Sequence, residues 1–212
     1  GNGSYTENGV SIDCNANAVN GTAAEPITVK AENERQAFIT TTLPNPGPFV
    51  MRNCSYWTVQ GLRVEHADIQ GATDEAFIVA VYNSSDITLR RNLAARNNRY
   101  TNGHGYYLEE TTNSLLEENE LYYFHRNGIL VRNSNGPGNN VIRRNYVNSR
   151  DYADIPGGFP SDGIDSSRGD VCELTYPSAS NTFENNIAEN CDSAFSALAV
   201  TIGSNNVKFF GN

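Results

Sequence analysis

A short pattern returns along this chain about every 26 residues, and it limits the possible folds more than any other feature. Ile87-Thr88-Leu89-Arg90-Arg91-Asn92-Leu93-Ala94 alternates apolar and polar residues and then reaches an Asn. Leu115 to Leu121, Val141 to Val147 and Thr182 to Ala188 have the same shape, and Val207-Lys208-Phe209-Phe210-Gly211-Asn212 begins it again. The spacing is 27 residues from Asn92 to Asn119, 26 to Asn145, 41 to Asn186 and 26 to Asn212. An earlier copy, Trp57 to Val64, lacks the Asn. A second mark follows each copy, a small residue before a large apolar one: Ala76-Phe77, Gly105-Tyr106, Gly128-Ile129, Gly163-Ile164 and Ala194-Phe195. Two marks in step through five units indicate a true internal repeat.

A unit of ~20–30 residues makes two or three strands but cannot bury its own apolar face. Stacked units pair strand on strand, about 4.8 Å apart, and inward side chains form columns. Ile87, Leu116, Ile142 and Phe183 are expected as approximate column-mates, with Trp57 in the core. The recurring Asn sits at a turn. Asn tolerates left-handed backbone, and its amide can bond to the same Asn one unit along. Asn92, Asn119, Asn145 and Asn186 therefore read as ladder residues. The chain of 212 residues has 29 Asn, with 38% hydrophobic and 18% charged residues. That balance excludes a helical bundle or a doubly wound α/β fold, because Asn is a poor helix former and a good turn former.

These residues resemble the right-handed parallel β-helix repeat family of the pectate-lyase-like superfamily, over about residues 50–212. The expected fold is all-β: a single-stranded parallel β-helix of about six to seven coils, one domain over 1–212. Residues 1–50 would form the N-terminal first coils and a loop, and 150–162 an inserted loop. The opening, Gly3-Ser4-Tyr5-Thr6-Glu7 and then Asn20 to Ala31, is similar to the first coil of secreted bacterial members. The strand and capping element that normally precede that coil are missing, and Asn212 falls in mid-repeat. Neither an initiator Met nor a signal-peptide pattern is present. The expectation is a processed or excised piece, or a module whose open ends are covered.

The net charge is −9, with 13 Arg but only Lys30 and Lys208 as lysines. An acidic balance disfavours duplex nucleic acid and an anionic membrane surface, and no apolar run is long enough to span a membrane. Any cation used in the body of the chain must be Arg. Four Cys without a CxxC argue against zinc. Of the three possible pairings, Cys14–Cys54 with Cys172–Cys191 is favoured, and four free thiols are the alternative. Sequons start at Asn2, Asn20, Asn53 and Asn83. Secretion or a cell-surface location is expected.

Solenoid chemistry sits on insertions and outward columns, because inward positions are used for packing. The 41-residue spacing marks the long insertion, with Asp151, Asp154, Asp162, Asp165, Asp170 and Arg168. Aligning the second mark puts Ile78, Tyr107, Leu130 and Ser196 level with Asp165. Glu75, His104, Asn127 and Ser193 fall level with Asp162, provided Gly163 bends the strand. Ala80, Glu109, Arg132, Ser167 and Leu198 come two positions after Asp165. One face would then carry His104, Tyr107, Glu109, Arg132, Asp162 and Asp165, with Arg126 and Arg168 nearby. Carboxylates and Arg bind hydroxyls and uronates, and a ring can stack on a pyranose.

Three chemistries fit. In a polysaccharide lyase a base takes the proton α to a uronate carboxylate, while a cation or Ca²⁺ neutralises that carboxylate. The resemblance implies Arg as base: Arg132, Arg126 or Arg168. A hydrolase needs two carboxylates at a set separation. Asp162 and Asp165 resemble the strand end of polygalacturonase-type β-helix hydrolases. However, Ser161 replaces the expected Asn, no Asp pair follows, and Gly103-His104-Gly105 comes before the element, not after it. The third chemistry is Ca²⁺ binding by Asp151, Asp154, Asp162, Asp165 and Asp170. The combined expectation is catalysis by Arg132, Asp165 and His104. Tyr107, Glu109, Arg126, Asp162 and Arg168 would bind the polymer, and Asp154, Asp162, Asp165 and Asp170 would hold Ca²⁺. A different reading is a non-catalytic structural or adhesive solenoid that self-associates end to end into a fibre. Arg90-Arg91, Glu117-Glu118 and Arg143-Arg144 alternate in one outward column and read as a cross-coil ion-pair ladder.

Overall fold

The computed structural model describes residues 3–5, 9–41, 47–66, 75–97, 102–124, 126–134, 136–149, 171–175, 180–191, 193–197 and 208–212, to which all structural statements refer. Twenty-one strands form three parallel sheets of seven strands each. Successive strands enter the first, second and third sheets in rotation, so every third strand pairs with its predecessor. The chain is a parallel β-helix of seven coils. The first coil is built from Gly3–Tyr5, Val10–Asp13 and Ile27–Lys30, and the seventh from Ile187–Glu189, Ser193–Ala197 and Lys208–Phe210.

Three turn positions per coil close the triangle, and many use left-handed backbone. Before the first sheet these residues are Gly61, Arg91, Glu118, Arg144, Asn185 and Gly211, with φ between 51° and 70°. The ladder Asn comes one residue later, so its side chain, not its φ, is what the fold selects. Asn92 N–H donates to Asn119 Oδ1 at 3.0 Å, and Asn92 Nδ2 reaches the same oxygen at 3.1 Å. Asn119, Asn145 and Asn186 repeat the backbone bond to Asn145, Asn186 and Asn212 at 2.8–3.0 Å. Each Nδ2 also donates to a carbonyl of the preceding coil, such as Val59, Leu89, Leu116 and Ile142. The four ladder residues named from sequence are buried as expected.

The core column of the third sheet is Val29, Val59, Leu89, Leu116, Ile142 and Phe183. Leu89, not Ile87, is the mate of Leu116, a correction of two residues. Ile87 stands with Ile27 and Trp57 in a neighbouring inward column. Trp57 is buried, and its Nε1–H donates to Val19 O. That column turns polar further along: Ile87 N–H donates to Ser114 Oγ, Ser114 N–H to Asn140 Oδ1, and Asn140 N–H to Asn181 Oδ1, each at 3.0 Å. The interior therefore holds a second polar ladder.

Outside the third sheet, Glu117 is nearly buried among three guanidinium groups. Arg144 lies at 2.7 Å, Arg143 at 2.9 Å and Arg90 at 3.5 Å. Arg144 also reaches Glu118 at 3.1 Å. This is the expected ion-pair ladder. Cys14 and Cys54 form a disulfide, Cα–Cα 5.0 Å, that joins the first coil to the second. Cys191 is disulfide-bonded too, while the side chain of Cys172 lies outside the described residues. Among the described residues, no helix is long and apolar enough to cross a membrane.

Candidate functional site on the second sheet

The outer face of the second sheet is where the sequence places its functional cluster. Its strands are nearly continuous apolar runs, the mark of parallel strands covered on both sides. Two consecutive inward residues bend them. In Asn102–Glu109 they are Gly105 and Tyr106: a Cβ on Gly105 would lie 2.3 Å from Leu121 Cδ2 and 2.5 Å from Gly128 O. Only glycine fits there. His104 and Tyr107 consequently share the outer face, with ring centroids 6.1 Å apart. Ile78 and Val79 make the same bend in Glu75–Tyr82, which turns Phe77 and Ala80 outward.

The outer face has three columns. The first is Phe77, His104 and Asn127; the second is Val50, Ala80, Tyr107 and Leu130; the third is Arg52, Tyr82, Glu109 and Arg132. Phe77 stacks on Tyr107 at 4.4 Å and on His104 at 5.3 Å. Tyr82 meets Tyr107 edge-on at 5.7 Å, and the Arg52 guanidinium sits 4.9 Å from the Tyr82 ring centroid. Arg132 Nη1 lies 3.5 Å from Glu109 Oε1. The first two columns are buried, including Tyr107 at 3% exposure. The third column is open: the side chain of Arg132 is 45% exposed and that of Glu109 31%. Burial pushes the Tyr107 phenol well above its ordinary range, and a hydrogen bond with Arg132 opposes that rise. At neutral pH Tyr107 is a neutral hydrogen-bonding group.

The expected adjacency of Glu109 and Arg132 is present. His104 joins them on the face but is 1% exposed, with Nδ1 accepting a hydrogen bond from Asn127 Nδ2 at 3.0 Å. Its imidazole is covered, unlike the open side chains of Glu109 and Arg132. Arg126 is exposed at the start of the next strand, its N–H donating to Gly103 O. Asp154, Asp162, Asp165, Asp170 and Arg168 lie outside the described residues, and the Ca²⁺ expectation with them. The register still corrects their alignment. The strand seated between Asn127–Arg132 and Ser193–Ala197 is Val171–Thr175, with Leu174 in the slot assigned to Asp165. The column-mates assigned to the strand Glu75–Tyr82 also move by two: His104 pairs with Phe77, Tyr107 with Ala80, and Glu109 with Tyr82.

Sequence reading missed Arg52 and Tyr82. The signal was there at the turns: Arg52-Asn53-Cys54-Ser55 and Tyr82-Asn83-Ser84-Ser85 match at a spacing of 30. Of the sequons, Asn20 Oδ1 accepts from Ser55 N–H and Asn53 Nδ2 donates to Asp13. Asn83 is exposed with φ 47°, and Asn2 lies outside the described residues.

No family model matches the chain, and no curated protein matches it. Among solved structures, it is similar to an alginate lyase from Paenibacillus sp. str. FPU-7, at 11% identity and a TM-score of 0.32, covering 99% of this chain and 88% of that one.

Proposed function

We propose that this protein binds an acidic polysaccharide along the outer face of the second sheet and cleaves it by β-elimination. The observation that carries the reading is the open column Arg52, Tyr82, Glu109 and Arg132. Successive coils each present one side chain in line along the helix axis, so a linear polymer lying on that axis meets them in turn. A half-buried tyrosine ring offers a stacking surface, two guanidinium groups pair with carboxylates, and a carboxylate accepts hydroxyl protons. The rigid sheet holds all four without ordering a loop on binding. The Cys14–Cys54 disulfide supports an oxidising, extracellular setting.

In the elimination, a base takes the proton on the carbon α to the uronate carboxylate. The released electron pair forms a double bond as the glycosidic carbon–oxygen bond breaks, and the leaving oxygen takes up a proton. A guanidinium keeps its proton in proteins, so Arg132 serves as the cation that neutralises the carboxylate. Glu109, beside it, is the proton acceptor on the open column. Incubation with uronate polymers, followed by ultraviolet absorbance of the unsaturated product, tests this. Glu109→Gln is expected to lower turnover by about 10²–10⁴-fold, and Arg132→Ala to weaken both binding and turnover. No product from any uronate polymer, with or without Ca²⁺, sinks the lyase reading.

The burial of His104 and Tyr107 favours a second reading, a non-catalytic binding solenoid, because only one column of the face meets solvent. Retention of the wild-type chain on an immobilised uronate polymer without unsaturated product would establish it.

A further inference from the structure

The open column extends one coil beyond Arg52. Val10–Asp13 pairs with Phe49–Arg52, and Asp13 is level with Arg52. The column therefore reads Asp13, Arg52, Tyr82, Glu109 and Arg132 over five consecutive coils. An acid followed by an Arg one coil later occurs twice in it, as Asp13 with Arg52 and as Glu109 with Arg132. Tyr82 stands between the two pairs. We infer that Asp13 and Arg52 form a second uronate-binding station, and that the site grips one polymer chain at two uronates three sugar residues apart. The shortest chain that engages both stations is then a tetrasaccharide. This rests on the polysaccharide reading above and adds to it the length of the site.

The chemistry of each group fits that role. Asp13 is half-buried, and its Oδ1 accepts from Asn15 N–H and from Asn53 Nδ2, each at 3.0 Å. The Asn53 amide, the Asn15 N–H and the Arg52 charge hold its carboxyl below the usual carboxylate range, so it is ionised and accepts hydroxyl protons. The Arg52 guanidinium sits over the Tyr82 ring, 4.9 Å from its centroid. Stacking uses a face of the guanidinium and directs its in-plane N–H fork sideways, where it matches a carboxylate bidentately. The Cys14–Cys54 bridge directly follows this pair and ties the first coil to the second, so Asp13 and Arg52 keep their register. Spacing sets the length. Coils repeat about every 4.8 Å, so the backbones at Arg52 and Arg132 stand three steps, or ~14 Å, apart. A 1,4-linked pyranose advances a polymer by nearly the same rise as one coil. A uronate paired with Arg132 therefore places the third sugar further along at Arg52.

The test is isothermal titration calorimetry of the whole chain carrying Glu109→Gln, so that no probe is cleaved during the titration. The probes are oligogalacturonates and oligomannuronates from disaccharide to pentasaccharide, which present axial and equatorial linkages. For the sugar that binds, the tetrasaccharide is expected to bind at least about ten-fold more tightly than the trisaccharide, a difference of ~1.4 kcal/mol. Adding Arg52→Ala is expected to bring the two lengths within about two-fold of each other while trisaccharide affinity changes by no more than about two-fold. Arg52→Lys keeps the charge but not the fork and is expected to retain a gain of about three-fold. A tetrasaccharide no tighter than the trisaccharide, or a gain that survives Arg52→Ala, overturns the second station and leaves the polysaccharide reading standing. A gain in Arg52→Lys no larger than in Arg52→Ala assigns the effect to packing on Tyr82 and overturns the station too. Failure of every probe to bind either this variant or the wild-type chain overturns both readings.

Discussion

One buried side-chain amide in this fold satisfies two backbone groups, and the next amide of the ladder satisfies a third. Asn119 Oδ1 accepts from Asn92 N–H, its Nδ2 donates to Leu89 O, and its own N–H donates to Asn145 Oδ1. No other small side chain supplies a donor and an acceptor at that reach, so the residue type returns with the coil and was legible as a period. The residue before it was not legible. Arg91, Glu118, Arg144 and Asn185 share left-handed backbone but no chemistry, so no pattern marks them. The two positions should respond in opposite ways. Asn119→Ala strands a buried N–H and a buried carbonyl and is expected to cost about 2–4 kcal/mol. Arg91→Gly relieves a φ of 51° and is expected to be neutral to stabilising by up to about 1 kcal/mol. Urea unfolding of both variants checks this, and equal losses would refute it. The Ser114–Asn140–Asn181 ladder escaped the reading because its members differ in type and share a column with Trp57 and Ile87.

His66 makes the pH prediction. It is 2% exposed, its Nε2–H donates to Phe77 O at 3.1 Å, and burial pushes its imidazole down to about 4 from 6.5. Below pH 6.5 the unfolded chain takes up a proton that the folded chain refuses until about pH 4. Stability should therefore fall across that window as pH drops, by on the order of 3 kcal/mol. His66→Gln keeps a donor but does not titrate. Its denaturation midpoint should lose most of that slope between pH 6.5 and pH 4, and an unchanged slope would assign the acid sensitivity elsewhere.

At the scale of the strand, what could be read depended on whether the outer face meets water. The third sheet is open, so its strands alternate. The pairs Arg90-Arg91, Glu117-Glu118 and Arg143-Arg144 aligned its outward face and gave the ion-pair ladder, although the inward column still slipped by two at Ile87. The second sheet is covered on its inner face and over two of its three outer columns. Ala76-Phe77-Ile78-Val79-Ala80-Val81 is apolar throughout, so parity carried no register there, and the alignment slipped by two. That slip hid Arg52 and Tyr82 but kept Glu109 beside Arg132, whose strands share a length between bend and turn. The ion-pair ladder yields its own prediction. The Glu117 side chain is 5% exposed and holds three guanidinium groups, whereas Glu118 is 36% exposed. Glu117→Gln is expected to cost about 1–3 kcal/mol, and Glu118→Gln no more than about 0.5 kcal/mol. Salt should reduce the second effect more than the first, because an exposed pair is screened and a buried one is not.

Across the whole molecule, the coils are not fastened alike. A solenoid contacts only its neighbours, so its stability is a chain of coil-to-coil terms, and each junction needs its own fastening. The asparagine ladder runs from Asn92 to Asn212 and reaches back only as far as Leu62 N–H and Val59 O. It never touches the first coil. That coil has thin burial: Gly3–Tyr5 is exposed, and Val10–Asp13 and Ile27–Lys30 are only partly covered. The Cys14–Cys54 bridge spans this junction, closing a separation of 40 residues. Disulfide and ladder thus divide the molecule between them. Reduction should remove about 2–4 kcal/mol from the first junction and nothing from the middle junctions that the ladder fastens, while the disulfide at Cys191 opens toward the other end. Hydrogen exchange followed by mass spectrometry should then show residues 9–30 losing protection at low denaturant, while the amides of Asn119 and Asn145 stay protected to the main transition. Cys14→Ser with Cys54→Ser should reproduce this without reductant. If all coils lost protection together on reduction, the molecule would be one cooperative unit and the division between bridge and ladder would be wrong.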